Sequence, residues 1–142
     1  MNYWLGIVGS KLTYGRLING PEYWFCMPKA CEIGDQIIMY SSRKAAGINS
    51  GIFGFYEVIE KDEQKNSLCS QYGHLSGTGE KLVYIYLKKI KAVNTLVTFG
   101  MIKSNSTLVD TAYVRRQMQA TYFQLHKREF QVMWKMSEQD KT

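Results

Sequence analysis

Two stretches decide how this chain is read: Ile33-Gly34-Asp35-Gln36-Ile37-Ile38-Met39-Tyr40-Ser41-Ser42 and Gly51-Ile52-Phe53-Gly54-Phe55-Tyr56-Glu57-Val58-Ile59. In the first, the turn pair Gly34-Asp35 introduces a short apolar run from Gln36 to Tyr40. The second is dense in the aromatic and β-branched residues that suit a pleated surface. Runs this short, punctuated by glycine, aspartate and serine, read as strands rather than as buried helices. The chain on either side adds more of the same. Tyr3 to Val8 is an apolar run that stops at Gly9-Ser10. Leu82 to Leu87 is apolar at every position, the mark of a strand buried on both faces. Thr121, Phe123 and Leu125 alternate with Gln124, which predicts a last, half-buried strand.

Helical signals are fewer. Phe130, Met133 and Trp134 share one face of a helix predicted over His126–Met136, and Glu129 stands where it can cap the start. Lys29–Glu32 and Val97–Lys103 each allow a short helical turn. Ser41–Ser50 and Asp62–Lys81 read as connections, the second a long one carrying Gly73, Gly77 and Gly79. Residues 137–142 are polar and read as a frayed tail. With no repeat or linker, residues 1–142 form one domain. Five to six strands, short helices and a C-terminal helix predict an α+β domain built on a curved, barrel-like sheet.

At 142 residues and 45% hydrophobic content the chain can bury a core of its own. The net charge of +6 is unevenly placed. Residues 1–80 carry seven Lys/Arg against eight Asp/Glu, and residues 81–142 carry eleven against four. That asymmetry predicts either a phosphate-binding face or a solvated strand end at Lys88, Lys89 and Lys91. Three cysteines, Cys26, Cys31 and Cys69, make no regular disulfide framework. Met1 leads directly into Tyr3-Trp4-Leu5, without the basic segment and apolar run of a signal peptide, and no stretch is long enough for a membrane span. The expectation is a cytoplasmic protein in a reducing compartment with no cofactor and no metal.

The order of segments carries more than any one of them. Tyr3-Trp4-Leu5 is followed by Tyr23-Trp24-Phe25-Cys26-Met27-Pro28-Lys29, then by the two stretches quoted first, and at the end by Arg116-Gln117-Met118-Gln119-Ala120-Thr121-Tyr122-Phe123-Gln124-Leu125 and the helix through Glu129-Phe130. This order resembles the EVE domain of the PUA-like superfamily. That family opens on a tyrosine-tryptophan strand, carries a tryptophan after the first loop, enters a strand through glycine-aspartate and closes another on glutamate-valine. Many EVE domains have an arginine-asparagine pair shortly after the pocket tryptophan. Pro28-Lys29 stands here instead, as in the shorter prokaryotic branch.

The resemblance implies a PUA-like β-barrel with a pocket for one nucleobase, modified or not, of DNA or RNA. EVE domains are similar to YTH domains, which hold N6-methyladenine in an aromatic cage. The residues themselves leave Trp24 open: between Gly20-Pro21 and Pro28 it is either a stacking platform in a stiffened loop or core packing. The resemblance makes it the platform. Strand ends suggest the rim: Val8, Gly9 and Ser10 end the first strand and Ser41 and Ser42 the next, with Met27, Pro28 and Tyr72 as candidates for the wall and Leu68 or Leu75 as alternatives to Tyr72. Ser41 and Ser42 serve equally well as turn residues. Lys29, Arg43, Lys44, Arg115 and Arg116 are candidate phosphate contacts, Arg115-Arg116 at the start of the last strand, and each serves equally well as a solvated surface charge.

Three other readings compete. Gly9-Ser10-Lys11-Leu12-Thr13-Tyr14-Gly15-Arg16 faintly resembles the glycine-x-lysine-x-x-glutamate-x-arginine motif of ASCH domains, some of which hydrolyse acetylated cytidine. Lys11 and Thr13 are present, but Tyr14 replaces the carboxylate that would shuttle the proton. Cys26, Cys31, Cys69 and His74 could supply four zinc ligands, at looser spacings than structural zinc knuckles use. The aromatic surface could also serve a protein–protein adaptor.

Overall fold

A computed structural model of the chain describes residues 1–20, 22–64, 69 and 82–139. The chain opens with β1 (Tyr3–Val8), α1 (Lys11–Asn19) and β2 (Glu22–Pro28). After β3 (Gln36–Ser41) come α2 (Arg43–Ala46), a 3-10 turn (Gly47–Asn49) and β4 (Gly51–Asp62). The second half consists of β5 (Leu82–Val97), α3 (Phe99–Lys103), α4 (Ala112–Arg115), β6 (Tyr122–Leu125) and α5 (Lys127–Ser137). Among the described residues the strands form one sheet in the order β2-β5-β4-β3-β1-β6. β1 and β3 run parallel, and every other pair is antiparallel.

The sheet curls into a half-barrel. Register shifts break the β4–β5 ladder between Ile52 and Gly54, between Phe55 and Tyr56, and between Val58 and Glu60, and each such bulge bends and twists its strand. Gly54 makes one of these bends possible, since a Cβ there would stand 2.9 Å from the Tyr56 ring. The Tyr56 hydroxyl in turn donates to the Leu17 carbonyl at 3.0 Å and holds α1 against the sheet.

Two cores follow from the curl. Trp4, Phe25, Met27, Ile37, Met39 and Ile85 fill the concave side. Leu5, Ile38, Phe55 and Phe123 face outward and meet Phe130 and Met133 of α5. Successive residues of β1 and β3 therefore go to opposite cores, which is why both strands are apolar without alternation. α5 begins as the spacing predicts, with the His126 N–H donating to Glu129 Oε1 at 3.0 Å.

Four expectations are corrected. The segment around Trp24 is not a loop: it is β2, an edge strand paired with β5. An edge strand tolerates Pro28 at its last position, and apolar residues on both faces hide the alternation. Residues 11–19 form a helix that the sequence reading passed over, because Gly15 interrupts it and Leu17 alone is fully buried. Cys26 and Cys69 are joined in a disulfide, with Cα atoms 5.7 Å apart. That bond ties β2 to the connection after β4 and withdraws the cysteine-based support for a reducing compartment. Finally, Ser137 is no part of a frayed tail. It is buried in the last turn of α5, where its hydroxyl donates to the Trp134 carbonyl and accepts from Lys91. No helix among the described residues is long and apolar enough to cross a membrane.

Asp35 locks the parallel pair together. Its buried carboxylate accepts from the Asn2 N–H, the Trp4 indole N–H and the Glu32 N–H, each at 2.9 Å. Replacing it strands three donors in a dry site. Asp35→Ala should cost about 3 kcal/mol of stability or more, read as a lower urea midpoint. Asp35→Asn, which turns one acceptor into a donor, should also be destabilised. Midpoints equal to wild type for both would contradict this role.

Candidate functional site

The β1–β3 register sets Val8 beside Ser41, so both strands end at one level. The Ser42 N–H donates to the Val8 carbonyl at 2.9 Å, and the chains leave side by side as α1 and α2. Each helix starts on a serine cap: Ser10 Oγ accepts from the Thr13 N–H and Ser42 Oγ from the Ala45 N–H. On the other flank β6 runs antiparallel to β1, and the Ile7 N–H reaches the Thr121 carbonyl at 2.9 Å.

An open cavity of about 490 Å³ lies at this end of the half-barrel. Val8, Gly9 and Ser10 line it from β1, Thr13 and Arg16 from α1, and Tyr23, Trp24 and Phe25 from β2. Lys44 reaches it from α2, and Ala120 and Thr121 close it ahead of β6. The volume suits a ligand of the size of one nucleoside. Its aromatic wall is held by ring stacking. Trp24 stacks on Tyr84 of β5 at 4.5 Å between ring centroids, and on Tyr23 at 5.5 Å. Arg16 donates to the Tyr23 hydroxyl at 2.8 Å and lies over that ring. Burial, then the neighbouring Tyr86, pushes the Tyr84 phenol up to about 12, so it stays neutral.

Thr121 gives the cavity its unused polar group. The residue is 3% exposed, and its hydroxyl has no hydrogen-bond partner among the described residues. A buried hydroxyl left unpaired is costly to the fold. The residues just before it are unusual too. Gln117 and Met118 are the non-glycine residues with positive φ, at 52° and 61°. Met118 is held there by its buried side chain and by its N–H, which donates to the Tyr113 carbonyl at 2.9 Å. Non-glycine residues in the left-handed region store strain and gather at functional sites.

Of the expected pocket residues, Trp24, Val8, Gly9 and Ser10 meet at the cavity, joined by Lys44 from the expected phosphate contacts. The others lie elsewhere. Met27 is fully buried in the concave core, and Pro28 is buried at the end of β2. Ser41 is fully buried, its hydroxyl engaged by both the N–H and the carbonyl of Gly51. Ser42 caps α2 and, with Arg43, lines a neighbouring groove. Lys29 is exposed beyond β2, where its carbonyl accepts from Lys61. Arg115 and Arg116 do not begin the last strand: Arg115 ends α4 and donates to the Asp110 carbonyl, and Arg116 lies over the Phe123 ring. Tyr72 and His74 lie outside the described residues.

The charge asymmetry also resolves differently from the expectation. Lys91 is spent on structure: it donates to Ser137 Oγ at 2.7 Å and sits over the Trp134 ring at 4.4 Å. Burial lowers its pKa from the ordinary lysine value. The cations at the cavity, Arg16 and Lys44, come from the less basic half. Sequence reasoning missed Arg16, Tyr23 and Thr121. The serine cap at Ser10 was the available signal for α1, and with it for Arg16.

Of the ASCH-like stretch, Gly9, Ser10, Thr13 and Arg16 line the cavity. Tyr14 turns away from the cavity to pack edge-on against Phe53 at 5.0 Å, and Lys11 is exposed. No carboxylate lines the cavity among the described residues. Cys26 and Cys69 are bonded to one another, while Cys31 is buried in the concave core.

A model of the EVE domain family matches residues 2–136, and the chain belongs to that family. Its curled mixed sheet with short helices and a C-terminal helix is the PUA-like fold. Solved structures share this fold at low identity. Human THYN1 protein in complex with 5-methylcytosine-containing DNA superposes with a TM-score of 0.70 at 15% identity, covering 99% of both chains. A hypothetical protein from Leishmania major gives 0.69 at 15% identity, covering 96% of this chain and 94% of that one. A mutant ASCH protein from Zymomonas mobilis gives 0.63 at 14% identity, covering 97% and 100%. No curated protein sequence matches the chain.

Burial also pushes the Cys31 thiol up to about 12, with Asp35 adding to the shift. The raised value keeps the thiol neutral and unreactive. In reductant-free native protein no thiol should react with a soluble disulfide reagent at about pH 8, and denaturation should release Cys31 alone. A thiol that reacts in the native state would place Cys31 outside the core.

Proposed function

We propose that this chain is a non-catalytic nucleic-acid-binding domain whose cavity accommodates one flipped base, modified or unmodified, of DNA or RNA. The observation that carries the proposal is convergence: a rigid aromatic wall, an unpartnered buried hydroxyl and two cations around one nucleoside-sized space. The family supports it, as does a structural neighbour bound to DNA containing 5-methylcytosine.

Physical balance makes this division of labour sensible. Extruding a base costs a few kcal/mol, and stacking on an aromatic side chain returns about 1–3 kcal/mol. The remainder must come from the base edge and the backbone. Thr121 Oγ1, together with the backbone at Gly9 and Ser10, is placed to read the edge. In this reading Arg16 and Lys44, which line the cavity, meet the flanking phosphates. Hydrolysis, the ASCH-like alternative, needs a proton shuttle. Tyr14 occupies that motif position and points into the core.

The test is titration with single-stranded oligonucleotides carrying cytosine or a modified base, at two salt concentrations. Trp24→Ala should weaken base-dependent binding at least tenfold, in keeping with the loss of one stacking platform. Thr121→Val should keep or raise stability, since it removes an unpaired buried hydroxyl, yet lose discrimination between bases. Lys44→Ala should weaken all sequences alike and reduce the log-affinity against log-salt slope by about 0.7. Wild-type binding by Trp24→Ala with a normal melting temperature would contradict the pocket assignment.

A further inference from the structure

We infer that the nucleic acid this domain takes is a duplex, and that Ile48 enters the base stack to fill the place of the extruded base. The inference rests on the flipped-base reading above and assigns a separate residue on a separate surface. A groove of about 970 Å³ adjoins the cavity. The two share Lys44, and the strained Gln117-Met118-Gln119 segment that walls the groove runs directly into Ala120-Thr121 of the cavity. Arg43 and Lys44 line the groove, and no acidic residue lines it among those described, so it complements a polyanion.

Ile48 also lines the groove, in the middle of the Gly47–Asn49 turn. It is 98% exposed, more than any other large hydrophobic residue described. Among the described residues nothing packs on its side chain, yet the turn beneath it is firmly built. Ser50 Oγ donates to the Ser41 carbonyl at 2.7 Å, and Ser41 Oγ, fully buried, bonds both polar groups of the Gly51 backbone. A branched apolar side chain presented to water on an anchored turn beside a basic groove fits the wedges that occupy unstacked base steps. A single strand has no gap to fill, so the wedge matters only where a base leaves a stack. In the same groove, the exposed Gln117 and Gln119 carry amides able to meet the edge of the base left without its partner.

The test compares wild type, Ile48→Ala and Trp24→Ala. Probes are an oligonucleotide with one 5-methylcytosine, single-stranded or as a duplex, and the unmethylated equivalents. In the duplexes, 2-aminopurine beside the target cytosine reports unstacking. Ile48→Ala should weaken duplex binding about tenfold, from the apolar area lost to the stack, and leave single-strand binding within about twofold. Its melting temperature should match wild type, because the side chain buries nothing. Trp24→Ala should weaken both forms. Undiminished duplex affinity for Ile48→Ala, or equal losses on both forms, would overturn the wedge. Duplex binding by wild type without a 2-aminopurine signal would overturn it as well, and the base pocket would still stand if Trp24→Ala weakened single-strand binding.

Discussion

The Asp35 carboxylate is the constraint on which the rest of the molecule depends. β1 and β3 are far apart in sequence and run parallel, so no hairpin can set their register. Asp35 sets it chemically, by accepting from the backbone of Asn2, the indole of Trp4 and the backbone of Glu32. Each donor is worth more to an ionised acceptor than to a neutral one. Once the starts of the strands are aligned, their ends are aligned too. Val8 meets Ser41, and two helices leave from adjacent serine caps. A lock at one end of the parallel pair thus builds the rim of a cavity at the other.

The cavity inherits its rigidity from packing that serves the fold. Trp24 cannot rotate freely, because Tyr84 of the partner strand lies flat against it. Arg16 is held by the Tyr23 hydroxyl. The turn under Ile48 is fixed by the buried Ser41. Ser41 is therefore a structural residue that supports the neighbouring groove, although the sequence pattern places it at the pocket itself. Thr121 and Tyr113 differ: among the described residues the fold leaves both buried hydroxyls unsatisfied, and of the two only Thr121 lines the cavity.

What was legible in the sequence follows from the same physics. β1, β3, β4 and β6 were legible because short apolar runs end at Gly9, Ser41 and Gly51 or alternate cleanly around Gln124. α5 was legible from Phe130, Met133 and Trp134. β2 was hidden, because Tyr23, Phe25 and Met27 face one apolar environment and Trp24 and Cys26 another, leaving no alternation to see. α1 was hidden by Gly15 and by an exposed Leu12 that blurs its apolar face. The Cys26–Cys69 bond depends on a fold that brings distant residues together, which no spacing announces. The site was half legible. Trp24 and the Gly9-Ser10 rim belong to ordered segments that carry the family pattern, whereas Arg16, Tyr23 and Thr121 reach the cavity only through strand pairing.

The central claim is that a single base occupies the space between Trp24 and Thr121. Two-dimensional NMR of the isotopically labelled protein, titrated with a nucleoside or short oligonucleotide, tests it most directly. The account predicts the largest shifts at the Trp24 indole N–H and at the amides of Gly9, Ser10 and Thr121, with contacts from base protons to the Thr121 methyl. Shifts confined to α5 or to the far end of the sheet, with those signals unmoved, would contradict it.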